Sequence, residues 1–139
     1  MLQAISATDI AMTGIRAQRT RMNLIANNIA NVETTRTPGG GPYRRQVEIL
    51  RGEQLGNSVR PDKFGVTVKR IEEDDSPFVE VYDPSHPDAN SEGIVQFPNV
   101  NLVVEMINLV AAQRAYEANI NVMMSDRAMT ERALEIIRQ

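Results

Sequence analysis

The sequence predicts an α+β fold: two long terminal helices packed as an antiparallel coiled coil, with a small four-stranded β insert between them. Three observations lead there. Residues 99–138 contain no Pro or Gly and repeat apolar side chains at the roughly 3.5-residue spacing of a coiled-coil seam. Residues 3–32 carry a second pattern of the same kind. The stretch between them turns to a period of two, with Pro, Gly, Asp and Asn crowded at its breaks. The expected division is a helical segment over 1–35, a loop and β module over 36–97, and a second helical segment over 98–139.

Composition narrows what such a chain can do. Of its 139 residues, 42 % are hydrophobic, enough for a core and too many for a disordered chain. Only 4 % are aromatic and none is Trp, so apolar surface comes from Ala, Val, Ile, Leu and Met. That suits helix–helix contacts better than a deep small-molecule pocket. The net charge of −3 is unevenly spread: residues 1–50 carry six Arg against three acids, and residues 51–98 five bases against ten acids. No basic footprint for nucleic acid results. Without Cys there are no disulfides and no thiolate zinc sites. No apolar run reaches the ~18 residues of a membrane span. The N-terminus also lacks the basic start and apolar core of a Sec signal peptide, so export would need another route.

In the first helix, alternate steps of three and four residues pass through Ile5, Thr8, Met12, Ile15, Arg19, Met22, Ala26 and Ile29. The alanines along it favour helix and close approach, and Gly14 is a weak or tightly packed point. Asn23, Asn27 and Asn31 recur every fourth residue on one face, with Asn28 beside them. Two readings fit. The Asn-rich end frays into the following loop, or it forms a packed polar stripe whose amides fix register between neighbouring chains. Solvent alone gives no reason to prefer Asn over Glu or Lys, which favours the second.

Val32–Pro42 breaks the helix with Thr34, Thr35, Thr37, Pro38 and Gly39-Gly40-Gly41-Pro42, and is expected to be mobile. Period-two patterns then mark strands at Tyr43–Leu50, Gly65–Arg70, Pro77–Tyr82 and Gly93–Phe97. For the last helix, Pro98 disfavours helix before it and Asn99 is the expected N-cap. Its seam runs through Leu102, Met106, Leu109, Gln113, Tyr116, Ile120, Met123, Arg127, Thr130, Leu134 and Ile137. Val103, Ile107 and Val110 add a second row, so this end needs more than one neighbour. At roughly 60 Å the helix is too long for the core of a small globule.

Little in the chain points to chemistry. His86 is the only histidine, and Asp83, His86 and Asp88 make a poor metal set between Pro84 and Pro87. Asp88, Asn90, Glu92 and Gly93 copy the opening of a calcium loop, but its twelfth place is Asn99 instead of Glu. A turn leading into a strand is the simpler reading. There is no G-x-S-x-G, no G-x-G-x-x-G and no Walker A. The expectation is no enzyme, no cofactor and no metal.

A resemblance covers essentially the whole chain. Ala26-Asn27-Asn28-Ile29-Ala30-Asn31 followed by Thr34 and Thr35 resembles the N-terminal motif of flagellar rod and hook axial proteins. Gly41-Pro42-Tyr43-Arg44, His86-Pro87-Asp88-Ala89-Asn90 with Gly93, and Pro98-Asn99-Val100-Asn101 before Glu105-Met106 extend it towards the proximal-rod members. Arg114-Ala115-Tyr116-Glu117-Ala118-Asn119 and Ala133-Leu134-Glu135 complete it. The resemblance implies a structural axial subunit of the bacterial flagellar basal-body rod, in the periplasm, that stacks helically, lines the export channel and transmits torque. Its partners would be copies of itself, other rod proteins and the flagellar type III export apparatus, which passes such subunits without a cleaved signal. The expected assembly residues are Asn23, Asn27, Asn28, Ile29 and Asn31, with Leu102, Met106, Leu109, Arg114, Tyr116, Asn119, Ile120, Met123 and Leu134. The alternative is a non-catalytic calcium- or ligand-binding adaptor acting through the 83–93 loop.

Overall fold

The computed structural model describes residues 6–55 and 63–137. Ile5, at the head of the expected first-helix row, and Arg138 lie outside them. The first helix, α1, spans Ala7–Ala30. Ser6 starts it with a capping box: its hydroxyl oxygen accepts from Asp9 N–H, while the Asp9 carboxylate accepts from Ser6 N–H at 2.8 Å. The loop after α1 folds back on itself, and Tyr43 N–H donates to Thr34 O at 2.9 Å across its base.

Four strands follow: β1 (Gln46–Gln54), β2 (Phe64–Glu73), β3 (Val79–Tyr82) and β4 (Ile94–Phe97). They form two separate two-stranded antiparallel sheets, β1–β2 and β3–β4, which corrects the expected single four-stranded insert. Gln46 lies opposite Glu73, with a register irregularity at Ile49/Leu50, and Val79 lies opposite Phe97. The chain between the sheets explains the split. Asp74 N–H donates to Arg45 O, while Asp74 O accepts from Asn99 Nδ2 and Arg44. The Asp74 N–H bond extends the β1–β2 pairing by one step, but beyond it side chains, not a neighbouring strand, take up the Asp74 and Ser76 carbonyls, and Pro77 has no N–H to continue a ladder. At the β3–β4 turn Gly93 is required: its φ is +75°, and a Cβ there would sit 2.9 Å from Pro84 Cγ.

The second helix, α2, spans Leu102–Ile137 and is about 54 Å long. Asn101, not Asn99, caps it, its Oδ1 accepting from Val104 N–H at 3.1 Å. Asn99 is engaged elsewhere, accepting from Arg45 N–H at 2.8 Å. α1 and α2 run antiparallel, with Thr8 bonded to Asp126, Gly14 against Asn119, and Asn28 bonded to Glu105. Residues 127–137 continue past the start of α1 and are exposed throughout.

The β1–β2 hairpin lies along α1. Thr13 Oγ1 accepts from Val66 N–H at 3.0 Å, and Arg21 pairs with Glu48 at 3.4 Å. The buried apolar residues are few and mostly small: Ala11, Ala17, Leu24 and Ile25 on α1 and Ala112 on α2, with Val95 and Val100 flanking the β4–α2 connection. Small side chains bring the helix backbones close. At Gly14 a Cβ would meet the Asn119 amide at 2.8 Å. Gly14→Ala alone is therefore expected to give no gain in melting temperature, the helix-propensity benefit being offset by the displaced amide. Adding Asn119→Ala should release about 1 kcal/mol of stability over the single variant. A single variant already stabilised by that amount would show that the close approach costs nothing.

Candidate functional site

Two features of the helix pair stand out: what α2 turns towards α1, and what it leaves in solvent. Glu105, Asn119 and Asp126 meet α1 directly, and alternate steps of four and three join them through half-buried Leu109, buried Ala112 and half-buried Tyr116 and Met123. This shares Leu109, Tyr116 and Met123 with the expected seam but replaces its other members with Glu, Ala, Asn and Asp. Leu109, Tyr116, Asn119, Ile120 and Met123 are half-buried. Leu102, Met106, Arg114 and Leu134 are exposed, as are Arg19 and Arg127, so neither of those charges sits in the contact. At its far end Asp126 Oδ2 accepts from both the Thr8 hydroxyl, at 2.6 Å, and Thr8 N–H, at 3.2 Å. A carboxylate thus takes one of the free amides in the first turn of α1, where the helix dipole favours it.

The outward side of α2 is apolar. Val103 is 65 % exposed, Met106 55 %, Ile107 64 % and Val110 50 %. At the free end Met129, Leu134, Ile136 and Ile137 are exposed as well. Row 103, 107, 110 is the second row of the sequence pattern, and it faces solvent within this chain.

The Asn-rich end of α1 divides by face. Asn23 and Asn27 are exposed, Ile29 and Asn31 are half-buried, and Asn28 is 1 % exposed. Asn31 fastens the helix end itself, donating to Asn27 O and accepting from the Thr34 hydroxyl. Asn28 instead has a full set of partners. Its Oδ1 accepts from Gln46 N–H at 2.9 Å and the Tyr43 hydroxyl at 3.0 Å. Its Nδ2 donates to Gln46 O at 2.9 Å and Glu105 Oε2 at 3.1 Å. The amide thereby fills all four of its hydrogen-bonding positions.

Glu105, also 1 % exposed, is the centre of this cluster. Its Oε1 accepts from Arg45 Nε at 2.8 Å, and Arg45 also bonds Asp74 Oδ2 at 3.1 Å. Asn99 holds the Arg45 backbone and, through Nδ2, the carbonyls of Asp74 and Ser76. Arg44 bonds the same two carbonyls and lies 4.3 Å over the Phe78 ring. Burial opposes the Arg45 charge, but the bonds and charges of Glu105 and Asp74 prevail and hold the guanidinium pKa above its usual value. Burial, then Glu105 and Glu73, pushes the Tyr43 phenol up. The Ser76 hydroxyl and amide, with Arg45 adding to them, hold Asp74 below the usual carboxylate range. Five segments meet here: α1, residues 43–46, the end of β2, Asn99 and α2. Sequence reading missed Glu105 and Arg45, although a lone charge within Leu102–Val110 was a signal for the first.

The 83–93 loop is engaged in its own structure. Asp88 Oδ1 pairs with Arg36 at 2.7 Å and Oδ2 accepts from the Thr35 hydroxyl at 2.8 Å. Asn90 Oδ1 accepts from Glu92 and Ile94 N–H, an Asx turn into β4. His86 Nδ1 accepts from Asp88 N–H, and its ring meets Phe97 edge-on at 6.1 Å. Among the described residues no group of three or more His, Cys, Asp or Glu is placed to hold a metal ion. No described helix is long and apolar enough to cross a membrane.

Comparison with known proteins agrees with this layout. Residues 9–36 match a family model described as "Flagella basal body rod protein", and residues 91–136 match one described as "Flagellar basal body rod FlgEFG protein C-terminal". The chain is 45 % identical to the flagellar basal-body rod protein FlgC of Borreliella burgdorferi, over 96 % of its own length and 97 % of that protein's. It is 39 % identical to FlgC of Bacillus subtilis, over 97 % and 99 % of the two chains. With FlgC of Salmonella typhimurium it shares 36 % identity over 92 % and 93 %.

Proposed function

The chain belongs to the FlgC family of flagellar basal-body rod proteins, and from that premise we propose that it is an axial subunit of the proximal rod that assembles helically through α1 and α2. Family membership makes it a structural rod protein associated with other rod components. The proposal adds how. Residues 1–35 and 98–139 form the inner tube that lines the export channel and transmits torque. Residues 36–97 lie outside, and the flagellar type III apparatus delivers the subunit to the periplasm.

One observation supports this reading most directly: the exposed row Val103, Met106, Ile107 and Val110 on α2. Contiguous apolar surface of this kind is uncommon on a chain that works alone and is ordinary at subunit contacts. The exposed amides of Asn23 and Asn27, opposite in chemistry, offer directional bonds to a neighbour. None of this requires bound cofactor or catalysis.

The test is a variant that keeps the chain's own contacts. Ile107→Glu is expected to leave unfolding stability within about 0.5 kcal/mol of the parent, since the side chain is solvent-facing. It should still be exported, yet swimming in soft agar should be abolished and isolated basal bodies should lack a complete rod. Normal swimming by a Val103→Glu/Ile107→Glu chain would remove this face of α2 from the assembly.

A further inference from the structure

We propose that Glu105 and Arg45 form a closing latch: α1 and α2 pack together only once residues 43–46 have docked, so the β module controls whether the helix pair can form. Glu105 occupies a position in the contact line between the helices, where a coiled seam would ordinarily carry an apolar residue, and it is 1 % exposed. Closing the helices without residues 43–46 would leave its carboxylate at the helix contact with the Asn28 amide as its only partner and no countercharge. Burying an unpaired charge is strongly unfavourable. Arg45 removes that obstacle with its Nε bond to Glu105 at 2.8 Å.

The Arg45 side chain is not free to arrive early. The Arg45 backbone N–H donates to Asn99 Oδ1 and its Nη1 to Asp74 Oδ2, so its position depends on the ends of both sheets being in place. Asn28 repeats the logic on α1. Three of its four hydrogen bonds go to Tyr43 and Gln46, and only one crosses to α2. Helix pairing and module docking are thus one cooperative event. A helix pair built from Leu alone would close without the module and could pair with the wrong copy; a buried charge at the seam prevents both. This device acts within one chain and does not depend on how subunits stack.

The chain has no Cys, so paired spin labels can be placed at exposed Arg16 on α1 and Glu117 on α2 after substitution to Cys in the full chain. The parent should give one short, narrow distance. Arg45→Met should broaden and lengthen it, with the closing equilibrium shifted by about 100-fold or more. Glu105→Leu should leave the pair closed and, combined with Arg45→Met, should restore the narrow distance. A residue that merely adds stability would make the double variant worse than either single one. Such additivity, or an Arg45→Met chain that stays closed, would overturn the latch.

Discussion

Replacing Asn28 with Leu, a side chain of similar volume, is expected to lower stability by about 4 kcal/mol. The substitution keeps the shape and removes the amide. It strands the Gln46 N–H and C=O at the half-buried start of β1, both bonded to Asn28 at 2.9 Å. Each buried backbone group left without a partner costs roughly 1–3 kcal/mol. The Tyr43 hydroxyl and Glu105 Oε2 lose a partner too, but Glu105 retains Arg45 and contributes less. Urea unfolding should show the midpoint falling by about 2 M with an unchanged slope. Asn27→Leu, one position away and exposed, should move it little. A midpoint shift at Asn28 no larger than that at Asn27 would mean that the amide network does not hold the fold together.

Ala112→Leu is the second large effect, expected to cost about 3 kcal/mol and to loosen the helix pair. Ala112 is 0 % exposed, at the middle of the contact line between Glu105 and Asn119. The register set by Asn28 at Glu105 and Gly14 at Asn119 places Ala112 opposite the stretch of α1 between buried Ala17 and buried Leu24 and Ile25, so the added atoms must push into side chains that are already packed. Leu has excellent helix propensity, so any loss is a packing effect and not a failure of α2 as a helix. Ala118→Leu, on an exposed turn, supplies the control and should stay within about 0.5 kcal/mol of the parent. Equal stability of the two variants would place the close approach of the helices elsewhere.

Much of this architecture is legible in residue spacing alone. The two helices, the position of all four strands and the turn at Asp88–Gly93 follow from periodicity and from Pro, Gly and Asx placement. The errors cluster where side chains override pattern. Asn99 has the right chemistry for a cap, but Arg45 and Asp74 claim both ends of its amide, and Asn101 takes the role. The four strand-like runs were correct singly, yet their pairing depends on Asp74–Ser76 being tied to Asn99 and Arg44, contacts separated by more than twenty residues. Gly14 could be read as a weak point or a tight one, and only the Asn119 amide beside it decides for the latter.

The long C-terminal helix shows the division most clearly. Its existence, its length beyond what the chain can cover and the apolar character of its rows are properties of local spacing, and spacing is written in the sequence. Which row meets α1 is not. Apolarity ranks Val103, Met106 and Ile107 above Glu105, Ala112 and Asn119, whereas the contact to α1 uses the second set and leaves the first in solvent. The reason is physical. Close helix approach selects small side chains, and a buried Glu is tolerable only with Arg45 and Asn28 brought to it from distant parts of the chain. A pattern of hydrophobicity counts surface that must be covered; it does not say whether the cover comes from the same molecule.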